Sequence, residues 1–206
     1  MGKKIFLIRH GQTDYNLKGI VQGSGVNAPL NEKGQSQARG FFEFYKDAGI
    51  QKVYTSALIR THQSVQPFID LGLPWQVLED LNEISWGKHE GKSITPEEDK
   101  YYHWLMDQWQ SGQTHLSIEE GESPDQVALR LSRALNVILA DPADQLLVCM
   151  HGRAMRIMLC LMLKYPLKSM DFFEHRNLCL YELLYTGSMF TIQKHNNTDH
   201  LNNFSA

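Results

Sequence analysis

The stretch Lys4-Ile5-Phe6-Leu7-Ile8-Arg9-His10-Gly11-Gln12-Thr13 decides the fold. Its four consecutive apolar residues read as a short buried strand, and the strand ends abruptly in a cation, an imidazole and a glycine. In an open α/β sheet the crevice beyond the carboxyl ends of the strands is where ligands bind, so Arg9, His10 and Gly11 stand where chemistry is placed. The arrangement recurs downstream, where Leu146-Leu147-Val148-Cys149-Met150 runs into His151-Gly152-Arg153. One strand-end histidine is more often a hydrogen-bonded boundary residue than a catalyst. Two of them, each followed by a glycine that lets a ligand approach the backbone and each beside an arginine, point to a shared pocket. The remaining histidines have no such setting.

Between and after these strands the pattern alternates. Residues 31–48 carry Ala38, Phe41, Phe42 and Tyr45 on a helical stripe closed by Gly49. Residues 52–55 read as a second strand, with Ser56 as the cap of a helix over 57–71 that ends at Gly72 and Pro74. Segment 75–91 is too broken for a long helix and reads as strand and loop. Residues 96–109, charged and aromatic, read as a helical cap over the sheet within an insertion at 92–120, a natural lid. Ser123 before Pro124 opens a helix with Val127, Leu131, Leu135 and Ile138 at helical spacing. The apolar helix over 153–163 begins directly behind His151-Gly152, and its exposed N–H groups suit an anion. Segments 178–184 and 189–194 form a hairpin around Gly187, and the polar tail 196–206 is expected to fray. No repeat or linker interrupts the chain. The sequence therefore predicts one α/β domain over 1–206, a three-layer α/β/α arrangement about a mostly parallel mixed sheet, with a small helical cap insertion.

Composition narrows the function classes. The 206 residues are 42% hydrophobic and 21% charged, ordinary for a globular domain with a buried core. A net charge of -3 and a pI near 6.3 give no global attraction to nucleic acid or membranes, so any basic site must be local. Cys149, Cys160 and Cys179, odd in number and in apolar surroundings, read as buried thiols rather than a disulfide framework. The amino-terminal apolar run is too short for a signal peptide or a membrane span, which makes a cytoplasmic location the simplest expectation. A monomer or homodimer is expected.

Phosphoryl transfer without a metal needs a nucleophile, fixed positive charge around the phosphate oxygens, and an acid for the leaving oxygen. His10 is the candidate nucleophile; Arg9, Arg60 and His151 supply charge; Glu83 is the candidate acid. No cofactor and no metal ligand set is called for, since no His-x-His or His-Asp pair clusters ligands. Leu7 through Thr13 with Asn16, Ser56 through Arg60, Leu81-Asn82-Glu83 with Glu90-Gly91, Gly121-Glu122-Ser123 and His151-Gly152 occur in an order that resembles the histidine phosphatase superfamily, the phosphoglycerate mutase-like group. The pieces spread across nearly the whole chain. The resemblance implies a phosphohistidine on His10, protonation of the leaving alcohol by Glu83, and hydrolysis by water, acting on a small phosphorylated metabolite. It further implies that Asn16 contacts phosphate and that Gln22 and Gly23 line the pocket near the leaving group. Gly152, through its N–H, and Asn177, at the start of a late strand, are secondary candidates. His89 stands where the family often has an aromatic residue.

Three rivals remain. A cofactor-dependent phosphoglycerate mutase uses the same phosphohistidine, but the mutases resemble one another in a basic stretch after the glutamate, where this chain has Ile84-Ser85-Trp86. Missing charge for a second anion favours hydrolysis. A thiolate mechanism through Cys149 fails on spacing, because six residues rather than five separate it from Arg156. A phosphate-binding module without turnover keeps the pocket, although no needed group is missing. Tyr101, Tyr102 and Trp104 are the loose candidates for specificity.

Overall fold

The computed structural model describes residues 2–202. Strand β1 (Lys3–Arg9) leads into the one-turn helix α1 (Asp14–Leu17), capped by Thr13. Helix α2 (Glu32–Tyr45) starts where the Asn31 side chain accepts the Gly34 N–H. Then follow β2 (Lys52–Thr55), α3 (Ile59–Asp70), β3 (Trp75–Val77), α4 (Pro96–Gln110), α5 (Pro124–Ala140), β4 (Gln145–Met150) and α6 (Gly152–Leu163). Strands β5 (Leu180–Tyr185) and β6 (Phe190–Asn197) make the terminal hairpin. The six strands form one sheet in the order β3-β2-β4-β1-β5-β6. The β3-β2, β2-β4 and β4-β1 pairings are parallel, whereas β1-β5 and β5-β6 are antiparallel. This is the single-domain α/β mixed sheet that the periodicities predict.

The layering follows from the alternation of side chains along a strand. Ile5 and Leu7 of β1, with Leu146, Val148 and Met150 of β4, bury into the larger core beneath α5 and α6. Phe6 and Ile8, with Leu147 and Cys149, face a second core that includes Phe41 and Tyr45 of α2 and Val65 and Phe68 of α3. Helix α4 is tied into the larger core by Leu105 and Trp109, both fully buried.

Two local expectations are corrected. Ser56 does not cap a helix: α3 starts at Ile59 behind Leu58, and the Ser56 hydroxyl turns inward to Thr61 and His151. The tail does not fray at Asn196. Strand β6 runs to Asn197, and His200 is 2% exposed against Phe41 and Tyr45 with a ring nitrogen donating to the Leu178 carbonyl at 2.7 Å. A polar composition concealed one aromatic-packed imidazole. Residues 203–206 of that tail lie outside the described residues.

Candidate active site

The parallel register pairs Arg9 with Met150, so β1 and β4 end side by side. The His10 N–H donates to the Met150 carbonyl at 3.0 Å, and the His10 and His151 ring centres stand 5.2 Å apart. Strand β2, on the other side of β4, delivers Ser56 and then Arg60 on α3. Four of the five predicted central groups are thereby brought together by strand adjacency alone.

The tautomers follow from the partners. His10 Nδ1 lies 2.7 Å from the Gly11 carbonyl oxygen, which can only accept, so Nδ1 carries the proton and Nε2 keeps its lone pair. Burial, with Arg60 and Arg9 close by, holds the ring well below its ordinary pKa and therefore neutral. His151 accepts from Arg60 Nε at Nδ1, 3.2 Å, and donates from Nε2 to the Ser56 hydroxyl, 2.8 Å. Burial and the Arg60 charge likewise keep it neutral. Arg60 is fully buried, and burial lowers its pKa to about 10. Its guanidinium also donates to the Val26 and Gly23 carbonyls.

Glu83 is 6% exposed, and its carboxylate accepts from the N–H groups of Arg153 (3.1 Å), Ala154 (2.8 Å) and its own successor Ile84 (2.9 Å). Glu83 is thus itself the anion for two of the N–H groups at the start of α6, those of Arg153 and Ala154. The Gly152 N–H, one residue earlier, makes no hydrogen bond among the described residues. Arg130 fixes the backbone that carries Glu83, donating to the carbonyls of Asp80, Asn82 and Glu83 at 2.7–3.0 Å. Glu122 holds Arg130 through two bonds of 2.8 Å and also accepts the Ser85 N–H.

A cleft of about 450 Å³ opens over these groups, lined by Arg9, Asn16, Gln22, Glu83 and Gly152 among the predicted residues. His10, Arg60 and His151 are almost without exposure and do not themselves line the cleft; Arg9, Glu83 and Gly152, beside them in the chain or in space, do. Asn177 and Gly23 act one step back. Asn177 Nδ2 donates to the His10 carbonyl and to Asn16 Oδ1, each at 3.1 Å, while the Gly23 carbonyl holds Arg60. A Cβ on Gly23 would come 2.7 Å from the Ile84 carbonyl oxygen, a backbone atom, and would also displace the Glu90 carboxylate, so the close approach of this loop requires glycine.

The cleft also contains residues that sequence reasoning missed: Val21, Trp86, Ile94, Arg153, Arg156 and His175. Arg153 and Arg156 had a signal in their i,i+3 spacing behind His151-Gly152. His175 had none; it arrives from a loop, accepts from Arg9 Nη1 at Nδ1, 3.2 Å, and is held down to about pKa 2 by burial and the Arg9 charge. Of the three aromatic candidates, Tyr102 lines the cleft, while Tyr101 and Trp104 are exposed elsewhere on α4. Cys149 faces the α2–α3 core, and burial pushes its thiol far above the usual range.

The family model described as "Histidine phosphatase superfamily (branch 1)" matches residues 5–198. The chain belongs to this superfamily. Among its relatives is a "Probable phosphoglycerate mutase GpmB" of Yersinia enterocolitica, 32% identical over 168 residues, spanning 79% of this chain and 76% of that one. The protein of the same name from Yersinia pestis is 30% identical over 190 residues, 90% of this chain and 86% of the relative. Among solved structures, the mycobacterial glucosyl-3-phosphoglycerate phosphatase superposes with a TM-score of 0.83 at 20% identity, covering 96% of this chain and all of that one. A putative alpha-ribazole-5'-P phosphatase from Escherichia coli K-12 does so at 0.83 and 22% identity, over 95% and 96% of the two chains. These superpositions establish the fold of the superfamily. Among the described residues no helix is long and apolar enough to cross a membrane.

Proposed function

We propose that this histidine phosphatase hydrolyses a small phosphomonoester, without a metal, through a phosphohistidine on His10. The supporting observation is the neutral His10 ring with its proton on Nδ1, which leaves Nε2 as a nucleophile beside Arg9, Arg60 and His151. Nε2 attacks phosphorus as the ester oxygen departs with a proton from Glu83. Water then attacks the phosphohistidine, gives a proton to the Glu83 carboxylate, and releases inorganic phosphate and free His10. Arg9, Arg60 and the Gly152 N–H balance charge on the phosphoryl oxygens, and neutral His151 orients the Arg60 guanidinium through its Nδ1. Asn16 adds a donor, held by Asn177, and Gln22 lines the leaving-group side with Gly23 behind it.

The Yersinia relatives' name supports a second reading, in which the phosphohistidine returns its phosphate to a glycerate. The stretch Ile84-Ser85-Trp86 after Glu83 lacks the basic residues by which the mutases resemble one another. Incubation with 3-phosphoglycerate separates the two, since hydrolysis gives inorganic phosphate and mutase action gives 2-phosphoglycerate. Rapid quenching in alkali is expected to trap labelled phosphate on wild-type protein and none on His10→Ala. Turnover by His10→Ala, or no label on the wild type during turnover, would refute the phosphohistidine.

A further inference from the structure

The cleft holds more positive charge than one phosphoryl group requires. Arg153 and Arg156 stand three residues apart in the first turns of α6, on one face, and both line the cleft outside the buried group of His10, Arg60 and His151. Both converge on one oxygen, Oδ1 of Asp171, which Arg153 Nη1 meets at 2.5 Å and Arg156 Nη1 also contacts. One carboxylate thus answers two guanidiniums, and its other oxygen is buried without a partner. Burial, and then the Arg153 charge, lowers the Arg156 pKa, the mark of two cations held close together.

The pair is also rigidly placed. Arg153 Nη2 packs on Met106 Sδ at 3.2 Å with the guanidinium 5.4 Å from the Trp109 ring centre, and Arg156 Nε donates to the Phe173 carbonyl at 2.9 Å. Nη2 of Arg156 makes no hydrogen bond among the described residues. A guanidinium fork matches carboxylate and phosphate oxygens, and preorganised forks lose little entropy on binding them.

We infer that Arg153 and Arg156 form a second anion subsite, so that the substrate is a small phosphomonoester bearing a further carboxylate or phosphate group. The inference rests on the phosphatase reading of the same cleft. Glu83 binds the N–H groups at the start of α6, so the acid and the arginine pair share one helix turn. The second anion therefore belongs to the leaving group.

Matched esters test this on the intact protein. For a carboxylate, 3-phosphoglycerate is compared with glycerol 3-phosphate; for a second phosphate, 1,3-propanediol bisphosphate with 3-hydroxypropyl phosphate. Wild-type kcat/KM is expected to favour the doubly anionic member of one pair by about tenfold or more, the scale of hydrogen bonds to a charged group. Which pair responds identifies the anion. Arg156→Gln is expected to bring that ratio toward one, mainly through KM, with Arg156→Lys retaining part of it. Asp171→Asn, which removes the carboxylate the arginines share, is expected to raise the ratio. Wild-type ratios near one in both pairs, with nitrophenyl phosphate still hydrolysed, overturn the subsite and leave the hydrolase standing. A preference that survives both Arg153→Gln and Arg156→Gln overturns it equally. Failure to hydrolyse any ester or to form phosphohistidine overturns both readings.

Discussion

Glu83 holds the most discriminating chemistry at the scale of a single residue. A carboxylate and an amide of the same size differ in whether they can transfer a proton, so Glu83→Gln isolates that role. Esters with poor alkoxide leaving groups, such as sugar phosphates, are expected to lose about 10²–10⁴-fold in single-turnover rate, whereas nitrophenyl phosphate loses far less. Equal losses on both would assign the acid elsewhere. The neighbouring carboxylates are poor substitutes, since Glu122 is bound to Arg130 and Ser85 and Glu120 is exposed. Cys149→Ser is expected to keep most turnover, because its thiol lies in the opposite core. Loss of activity there, measured against a folded control by circular dichroism, would revive the thiolate mechanism.

At the scale of elements, the site depends on a bracket between α5 and the loop after β3. Arg130, near the middle of α5, donates to the carbonyls of Asp80, Asn82 and Glu83 and is itself held by Glu122 just before the helix cap Ser123. Removing the guanidinium leaves those acceptors without a charged donor. Arg130→Gln is expected to lower the unfolding free energy by about 2 kcal/mol in urea titrations. The same variant should reduce turnover of alkyl phosphates more than of nitrophenyl phosphate, because the displaced loop carries the acid. A stability loss with equal effects on both esters would make the bracket structural alone.

At the scale of the molecule, several imidazoles are buried in neutral form. Burial holds His10 and His151 well below 6.5, His175 at about 2 and His200 at about 4. Below pH 6.5 the unfolded chain takes up protons at these positions that the native rings refuse. The unfolded state then binds more protons, so stability falls as pH drops, by up to ~1.4 kcal/mol per pH unit for each ring. The His200 contribution levels off near pH 4, where its native ring titrates. Urea unfolding at pH 7, 6 and 5 is expected to show this decline, and His200→Gln to flatten it by about one proton. Stability independent of pH over that range would contradict neutral burial.

The strands, most helices and the central residues were legible in sequence because each rests on a local regularity. Ile5 to Ile8 must be buried, Ser123-Pro124 must open a helix, and a histidine and glycine after a strand must stand at its end. The motifs from Leu7 to Gly152 that carry the family resemblance lie within residues 5–198, which the family model matches. What only the tertiary structure decided are partnerships across long separations: Ser56 turned to His151, Glu83 seated on α6, His175 against Arg9, and His200 packed under α2. None of these has a period or a spacing, since each is fixed by where the sheet order brings remote segments together. The same adjacency turned two ordinary arginines of α6 into a charged wall of the cleft.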